Sequence, residues 1–141
     1  MGNIRNFIES VTTNGGASLN INSGEFNPTN GYFVSIVGAE KKISNFNGDD
    51  LKNYVLENAE LLYNTDVFLG GWMHKGEIYL DCSQQIADKR TAIIKGMERG
   101  QIAIYDAAKG KEILLPTAQK CGTETQKKTY MSQKANELCE N

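Results

Sequence analysis

Four residues, His74-Lys75-Gly76-Glu77, constrain the fold of this chain more than any other stretch. They join two extended runs, Phe68 to Met73 and Ile78 to Ser83, inside a longer segment from Phe68 to Ile113 that reads hairpin, helix, hairpin. If Lys75-Gly76 is a two-residue loop, the register follows by counting. Met73 then faces Ile78, Gly71 faces Leu80 and Leu69 faces Cys82, which makes one apolar face. On the other face His74 meets Glu77, Trp72 meets Tyr79 and Gly70 meets Asp81, an aromatic and polar set. Lys is not the favoured first residue of such a loop, and one extra residue would exchange the two faces. The clean sorting of residue types supports the two-residue loop.

After this hairpin, Asp88 is placed as the N-cap of a helix running through Arg99, with Gly100 as its terminator. Ala92, Ile93, Gly96 and Met97 line one side of it. Gly96 costs about 1 kcal/mol of helix stability relative to alanine, so close packing on a sheet is the expected reason for it. Gln101 to Asp106 then alternates, Ile102 and Ile104 against Ala103 and Tyr105. Strand, short helix and strand form a crossover unit, which predicts a parallel, right-handed pairing of these two strands. Ala107 to Gly110 turns the chain into a last strand, Lys111 to Leu115, ended by Pro116.

Upstream, Ile4, Phe7, Ile8 and Val11 share one face of a short helix stopped by Asn14-Gly15-Gly16. That helix either docks on the protein's own core or serves as an amphipathic arm for a partner. Ala17 to Ile21 alternates like a half-buried strand, and Asn22 to Gly31 is loop by composition. Tyr32 to Val37 is apolar on both faces except at Ser35, so a strand covered on both sides is expected. Asp49 and Asp50 open a helix whose apolar positions run to Leu62.

Together these elements predict an α+β protein with a mixed, mostly antiparallel sheet of about six strands and two or three packed helices, in the order α-ββ-α-ββ-α-ββ. Residues 1–116 are expected as one domain (1–14 the N-terminal helix, 17–115 the core), and 117–141 as a polar tail or weak helix. The 141 residues, 40% apolar and 23% charged, suit a globular domain with its own core. A net charge of −2 supplies no basic field for nucleic acid. Cys82, Cys121 and Cys139 show no metal-ligand spacing, and His74 is the only histidine, so no zinc site and reduced thiols are expected. No apolar run is long enough to span a bilayer. No secretory signal is legible, and Asn6 spoils a myristoylation pattern at MGNIRN, so a cytoplasmic location is expected.

Chemistry-bearing candidates are few. Asp81 and Asp106 each end a predicted strand, and adjacent parallel strands would bring them, with Ser83, to one edge where ligands bind. Asx turns at strand ends are the competing role. His74 with Glu77 could act as a base, but it lies at a hairpin tip. Cys82 falls on the apolar face and is expected to be inert. The glycine pairs lack the strand–loop–helix context of a phosphate cradle. The remaining feature is the face carrying Phe68, Trp72 and Tyr79, with Tyr105 one strand over and Asp81, Gln101 and Asp106 beside it. Such composition serves a protein interface or a small polar ligand; the alternative is that a chain terminus covers it.

Gly15-Gly16-Ala17-Ser18, Ser23-Gly24-Glu25, Gly31-Tyr32-Phe33-Val34-Ser35, Gly70-Gly71-Trp72, Tyr79-Leu80-Asp81-Cys82-Ser83 and Gln101-Ile102-Ala103-Ile104-Tyr105-Asp106 together resemble a small module common in phage and mobile-element accessory proteins. The likeness covers residues 15 to 115. It implies a bacterial host cell as the setting and, by analogy with anti-CRISPR proteins, inhibition of a host defence protein complex by occlusion. On that expectation there is no catalytic residue, metal or cofactor, and no direct contact with nucleic acid or membrane. A protein binding or hydrolysing a small nucleotide through Asp81 and Asp106 is the alternative, as is an accessory phage protein without a defence role.

Overall fold

The computed structural model describes residues 2–43, 48–116 and 122–140. In chain order these form α1 (Gly2–Asn14), β1 (Gly16–Leu19), β2 (Tyr32–Ser35), β3 (Lys41–Ile43), α2 (Gly48–Glu57) and α3 (Ala59–Leu62). There follow β4 (Val67–His74), β5 (Glu77–Ile86), α4 (Lys89–Glu98), β6 (Ala103–Asp106), β7 (Lys111–Leu114) and α5 (Glu124–Glu140). The class is α+β with mostly antiparallel strand pairing, as the alternation patterns indicated. The chain divides into two compact units, residues 1–28 with 36–84, and residues 29–35 with 85–141.

The first unit is built on the β4–β5 hairpin. Its register is the counted one: His74 pairs with Glu77, Met73 with Ile78, Trp72 with Tyr79, Gly71 with Leu80, Gly70 with Asp81 and Leu69 with Cys82. Lys75 and Gly76 have φ of 53° and 79°, the left-handed conformation that a tight two-residue hairpin loop demands. β1 pairs antiparallel with β4, placing Gly16 opposite Trp72, and β3 pairs antiparallel with β5, placing Lys42 opposite Tyr79. The far edge of β1 is covered by the chain itself. Asn27 N–H donates to Ser18 O (2.8 Å), Ser18 N–H donates to Asn27 Oδ1 (2.8 Å), and Leu19 bridges to Phe26. Such self-covering blunts an edge that could otherwise recruit another strand.

The apolar hairpin face forms this unit's core. Phe7 and Val11 of α1 join Leu19, Leu51, Tyr54, Leu62, Leu69, Leu80 and Cys82 there, with Ile4 and Ile8 packed beside them. α1 is therefore a docked helix. Its close approach explains Gly71, where an added Cβ would lie 2.8 Å from Phe7 Cζ and 3.1 Å from Val11 Cγ2. The expected single helix from Asp49 to Leu62 is broken at Asn58 (φ −111°, ψ 22°). Both the backbone N–H and Nδ2 of Asn58 donate to Tyr54 O, a local side-chain bond that competes with helix continuation. The Asn-rich loop holds a polar lock as well. Asn20, only 3% exposed, donates from Nδ2 to Thr65 O (2.7 Å) and accepts at Oδ1 from the N–H groups of Asn22 and Ser23. Asn22 Nδ2 in turn donates to Leu62 O (2.8 Å), at the end of α3.

The second unit packs α4 on one face of β2 and β6, with α5 laid against α4. Its core is Val34, Ala92, Ile93, Met97, Ile104 and Ala135. Asp88 caps α4, its Oδ2 accepting from Thr91 N–H (2.9 Å) and Thr91 Oγ1 (2.7 Å), and these bonds hold its carboxyl below the ordinary aspartate range. Gly96 does pack close: a Cβ there would lie 2.6 Å from Leu115 Cδ1 and 2.8 Å from Ile104 Cγ2. β6 pairs antiparallel with β2 on one edge and with β7 on the other. Both of its edges are thus taken, so the expected parallel pairing with the strand before α4 does not form. Phe33 and Val34, which point to opposite faces of β2, are both buried, as a strand covered on both sides requires. Ile102 precedes β6 instead of belonging to it and is 81% exposed.

Residues 124–140 form a full helix. Thr123 and Gln126 make reciprocal bonds, Thr123 N–H to Gln126 Oε1 (2.8 Å) and Gln126 N–H to Thr123 Oγ1 (3.1 Å). This is a capping box that satisfies two otherwise orphaned donors. Arg90 of α4 donates to Asn136 Oδ1 (2.7 Å) and to Ser132 Oγ of α5. Ala135 is fully buried, with Tyr130, Met131 and Leu138 packed around the same core.

Candidate functional site

Phe68, Trp72, Tyr79 and Asp81 lie in the first unit, and Gln101, Tyr105 and Asp106 in the second. In the first unit, the register makes Trp72 and Tyr79 direct cross-strand neighbours on the face opposite the core. Their rings stack, with centroids 5.5 Å apart and planes inclined by 8°. His74, exposed at the hairpin end, meets the Tyr79 ring edge-on at 6.5 Å and 60°. The polar end of Tyr79 is held too: its hydroxyl donates to Glu77 Oε2 (3.4 Å), and Lys42 Nζ lies 3.3 Å from the same oxygen. Glu77 is thereby engaged by Lys42 and Tyr79, not set to orient His74 as a base. Trp72 and Tyr79 are only half-buried, so part of each ring still meets solvent.

The same face closes toward the other end of the hairpin. Phe68 is 1% exposed and Asp81 6%, so neither is surface. Asp81 is also not at a strand end, because β5 continues to Ile86. Ser83 Oγ donates to Asp81 Oδ2 (3.2 Å), and Oδ1 fills the space above Gly70 where a Cβ would otherwise stand. Asp81 is a built-in strand residue packed on a glycine.

In the second unit Asp106 does end its strand and is 4% exposed. Its Oδ1 accepts from Lys109 N–H (3.2 Å) while its carbonyl accepts from Gly110 N–H (2.8 Å), so the carboxylate is engaged by the turn that follows the strand, a local side-chain bond that competes with any ligand role. Its charge also acts on Tyr32, the residue paired with it across the strands; burial first, then Asp106, pushes the Tyr32 hydroxyl above its ordinary range. Tyr105 is 44% exposed. Gln101 lies in the turn after α4, its N–H donating to Gly96 O (2.9 Å).

Cys82 is buried against Tyr54, whose hydroxyl donates to Ala39 O (2.6 Å) and lies 3.5 Å from the sulfur. Burial pushes both the thiol and the phenol up from their ordinary values, which disfavours the thiolate form of Cys82. Cys121 lies outside the described residues. Among the described residues no group of three or more His, Cys, Asp or Glu is placed to hold a metal ion, and no helix is long and apolar enough to cross a membrane. An open recess of about 320 Å³ lies beside α1, lined by Asn6, Glu9, Thr13, Asn14, Phe26 and Asn27 among others. Sequence patterning gave no sign of it, because it depends on Phe26 and Asn27 folding back beside β1. Comparison with protein-family models, curated proteins and solved structures produced no match.

Proposed function

We propose that this chain is a binding protein, not an enzyme, and that the open end of the β4–β5 hairpin is its contact surface. The observation that carries this reading is the stacked, half-exposed Trp72–Tyr79 pair, braced by Lys42 and Glu77 and flanked by His74. Rigid aromatic anchors in a polar rim are the composition that concentrates binding energy at protein interfaces. The carboxylates required by a nucleotide-directed alternative, Asp81 and Asp106, are both buried and engaged within their own strand and turn. Following the phage-module resemblance, the partner is a host defence protein complex in the cytoplasm of a bacterial cell, such as a CRISPR effector, and the mode of action is occlusion.

Co-purification with candidate effector complexes tests this, using the wild type, Trp72→Ala and Tyr79→Ala. Loss of an aromatic hot spot weakens binding by about 2 kcal/mol or more, roughly 30-fold in Kd, while circular dichroism reports an intact fold. A complex that ignores both substitutions refutes this surface. Absence of any complex, in a cell whose immunity the protein blocks, refutes occlusion. A nucleotide panel with and without Mg²⁺ in a thermal-shift assay discriminates the alternative, since a ligand specific for the folded state raises Tm by mass action.

A further inference from the structure

We infer that Asn30 is a self-modifying position, converting to aspartate and isoaspartate in the folded protein while the Asn-Gly pair at Asn14 is protected. The sequence holds three Asn-Gly pairs, Asn14-Gly15, Asn30-Gly31 and Asn47-Gly48; Asn47 lies outside the described residues. The chemistry is set by the second residue. The Gly backbone nitrogen, once deprotonated, attacks Cγ of the asparagine side chain; a new C–N bond forms, the bond to the side-chain nitrogen breaks, and ammonia leaves. Water then opens the cyclic imide at either carbonyl, giving aspartate or isoaspartate. Glycine favours the attack because no Cβ obstructs the approach.

The two described pairs differ at the attacking atom. Gly15 N–H is the last donor of α1, bonded to Val11 O at 3.1 Å, and ring closure there requires breaking the helix end. Gly31 N–H has no such partner among the described residues. Asn30 sits exposed in the bend that leads into β2, and its side chain is likewise unbonded there. Two anchors flank the reacting bond: Asn30 O accepts from Gln85 Nε2 (3.0 Å), and Gly31 O accepts from Ala107 N–H (3.1 Å). Conversion to isoaspartate reroutes the backbone through Cβ and Cγ, which adds a methylene ahead of Gly31 and turns the former Asn30 carbonyl into a side-chain carboxylate, so both anchors cannot keep their places. Either product also adds a negative charge at the start of β2.

The experiment holds the folded full-length chain at mildly alkaline pH, which promotes nitrogen deprotonation, and maps peptides over time by mass spectrometry in H₂¹⁸O, with electron-based fragmentation to separate the two isomers. A parallel sample is unfolded in urea. The expected result is ¹⁸O incorporation at position 30 in the folded protein with position 14 intact, and conversion at both in urea. Faster hydrogen exchange at the Ala107 amide should accompany the isoaspartate form. Asn30→Gln, whose longer side chain closes the ring poorly, should abolish folded-state conversion at that position without altering the circular dichroism spectrum. Conversion at Asn14 as fast as at Asn30 in the folded protein overturns the inference. So does an unchanged Asn30 over a period in which the unfolded chain converts.

Discussion

Replacing Gly96 with alanine sets two physical effects of known sign against each other. Alanine favours the interior of α4 by about 1 kcal/mol over glycine. Against this, the new Cβ would lie 2.6 Å from Leu115 Cδ1 and 2.8 Å from Ile104 Cγ2, where carbon pairs rest at about 3.5–4.0 Å. Ile104 is 2% exposed, and its Cγ2 is fixed by a β-branched χ1, so it yields only by moving the strand. Leu115 is half-buried and can rotate away. Overpacking of this kind costs about 1–3 kcal/mol, which leaves a net loss of about 1 kcal/mol after the propensity gain. That corresponds to a fall in Tm of roughly 3–5 °C for a chain of this length. Urea denaturation gives the free energy, and the same measurement in a Leu115→Ala background gives the coupling. Removing Cδ1 relieves one of the two contacts, so Gly96→Ala should cost less there. A Gly96→Ala protein more stable than wild type, or one whose cost is unchanged in the Leu115→Ala background, refutes the close-packing explanation.

Asn20→Ala should destabilise the first unit by about 2 kcal/mol, because Thr65 O and two loop N–H groups lose a buried partner together; a urea midpoint equal to wild type would show that the lock contributes nothing. Asp88→Ala tests the α4 cap through pH. The Asp88 carboxyl is held low in the folded chain by Thr91, so its ionised form contributes stability above the ordinary aspartate value of about 3.9. That contribution is lost as acid carries the pH down through the depressed folded value. The stability gap between wild type and Asp88→Ala should therefore be constant near neutrality and narrow in acid, and a gap that ignores acidification would be inconsistent with capping by the carboxylate.

Much of the fold was legible wherever a local rule leaves one solution. A two-residue loop with a glycine allows one pairing, and the hairpin register followed from it. Asp88, Gly100 and Gly15 mark helix ends because unpaired backbone groups there need a cap or a left-handed turn. What escaped the sequence depends on partners far along the chain. Lys41-Lys42-Ile43 has one apolar residue and no alternation, yet becomes β3 because β5 offers its edge and Glu57 and Glu77 receive the two lysines. The crossover rule led to β5 and β6 as neighbours, since no local pattern reveals that β2, formed long before, takes an edge of β6. α5 carried its own signal, Thr123 three residues before Gln126, hidden within a run too polar to suggest a buried face. Its docking rests on Ala135 and the Arg90 bonds, contacts that only the presence of α4 supplies.

The candidate site shows the same division. Asp81 and Asp106 look alike in sequence, each closing an aromatic-bearing run. Asp106 is followed by Ala-Ala-Lys-Gly, which turns, whereas Asp81 is followed by Cys-Ser-Gln-Gln, which pairs with Val67 to Leu69 through Gln84 and prolongs β5. Where a strand ends is decided by how long its neighbour continues, and this takes Asp81, unlike Asp106, away from the strand end at which it would have served chemistry. Trp72 and Tyr79 depend on nothing so distant, since the loop alone sets them opposite each other. Whether they stay open depends on the next strand across. Gly16 stands beside Trp72 in that row, although a Cβ there would be 3.4 Å from Gly71 O and 3.8 Å from Trp72 Cβ, space an alanine could occupy. Steric necessity therefore does not require glycine at position 16. A longer side chain there would lie along the indole as cross-strand neighbours do, so the accessible flank of Trp72 follows from what β1 leaves out.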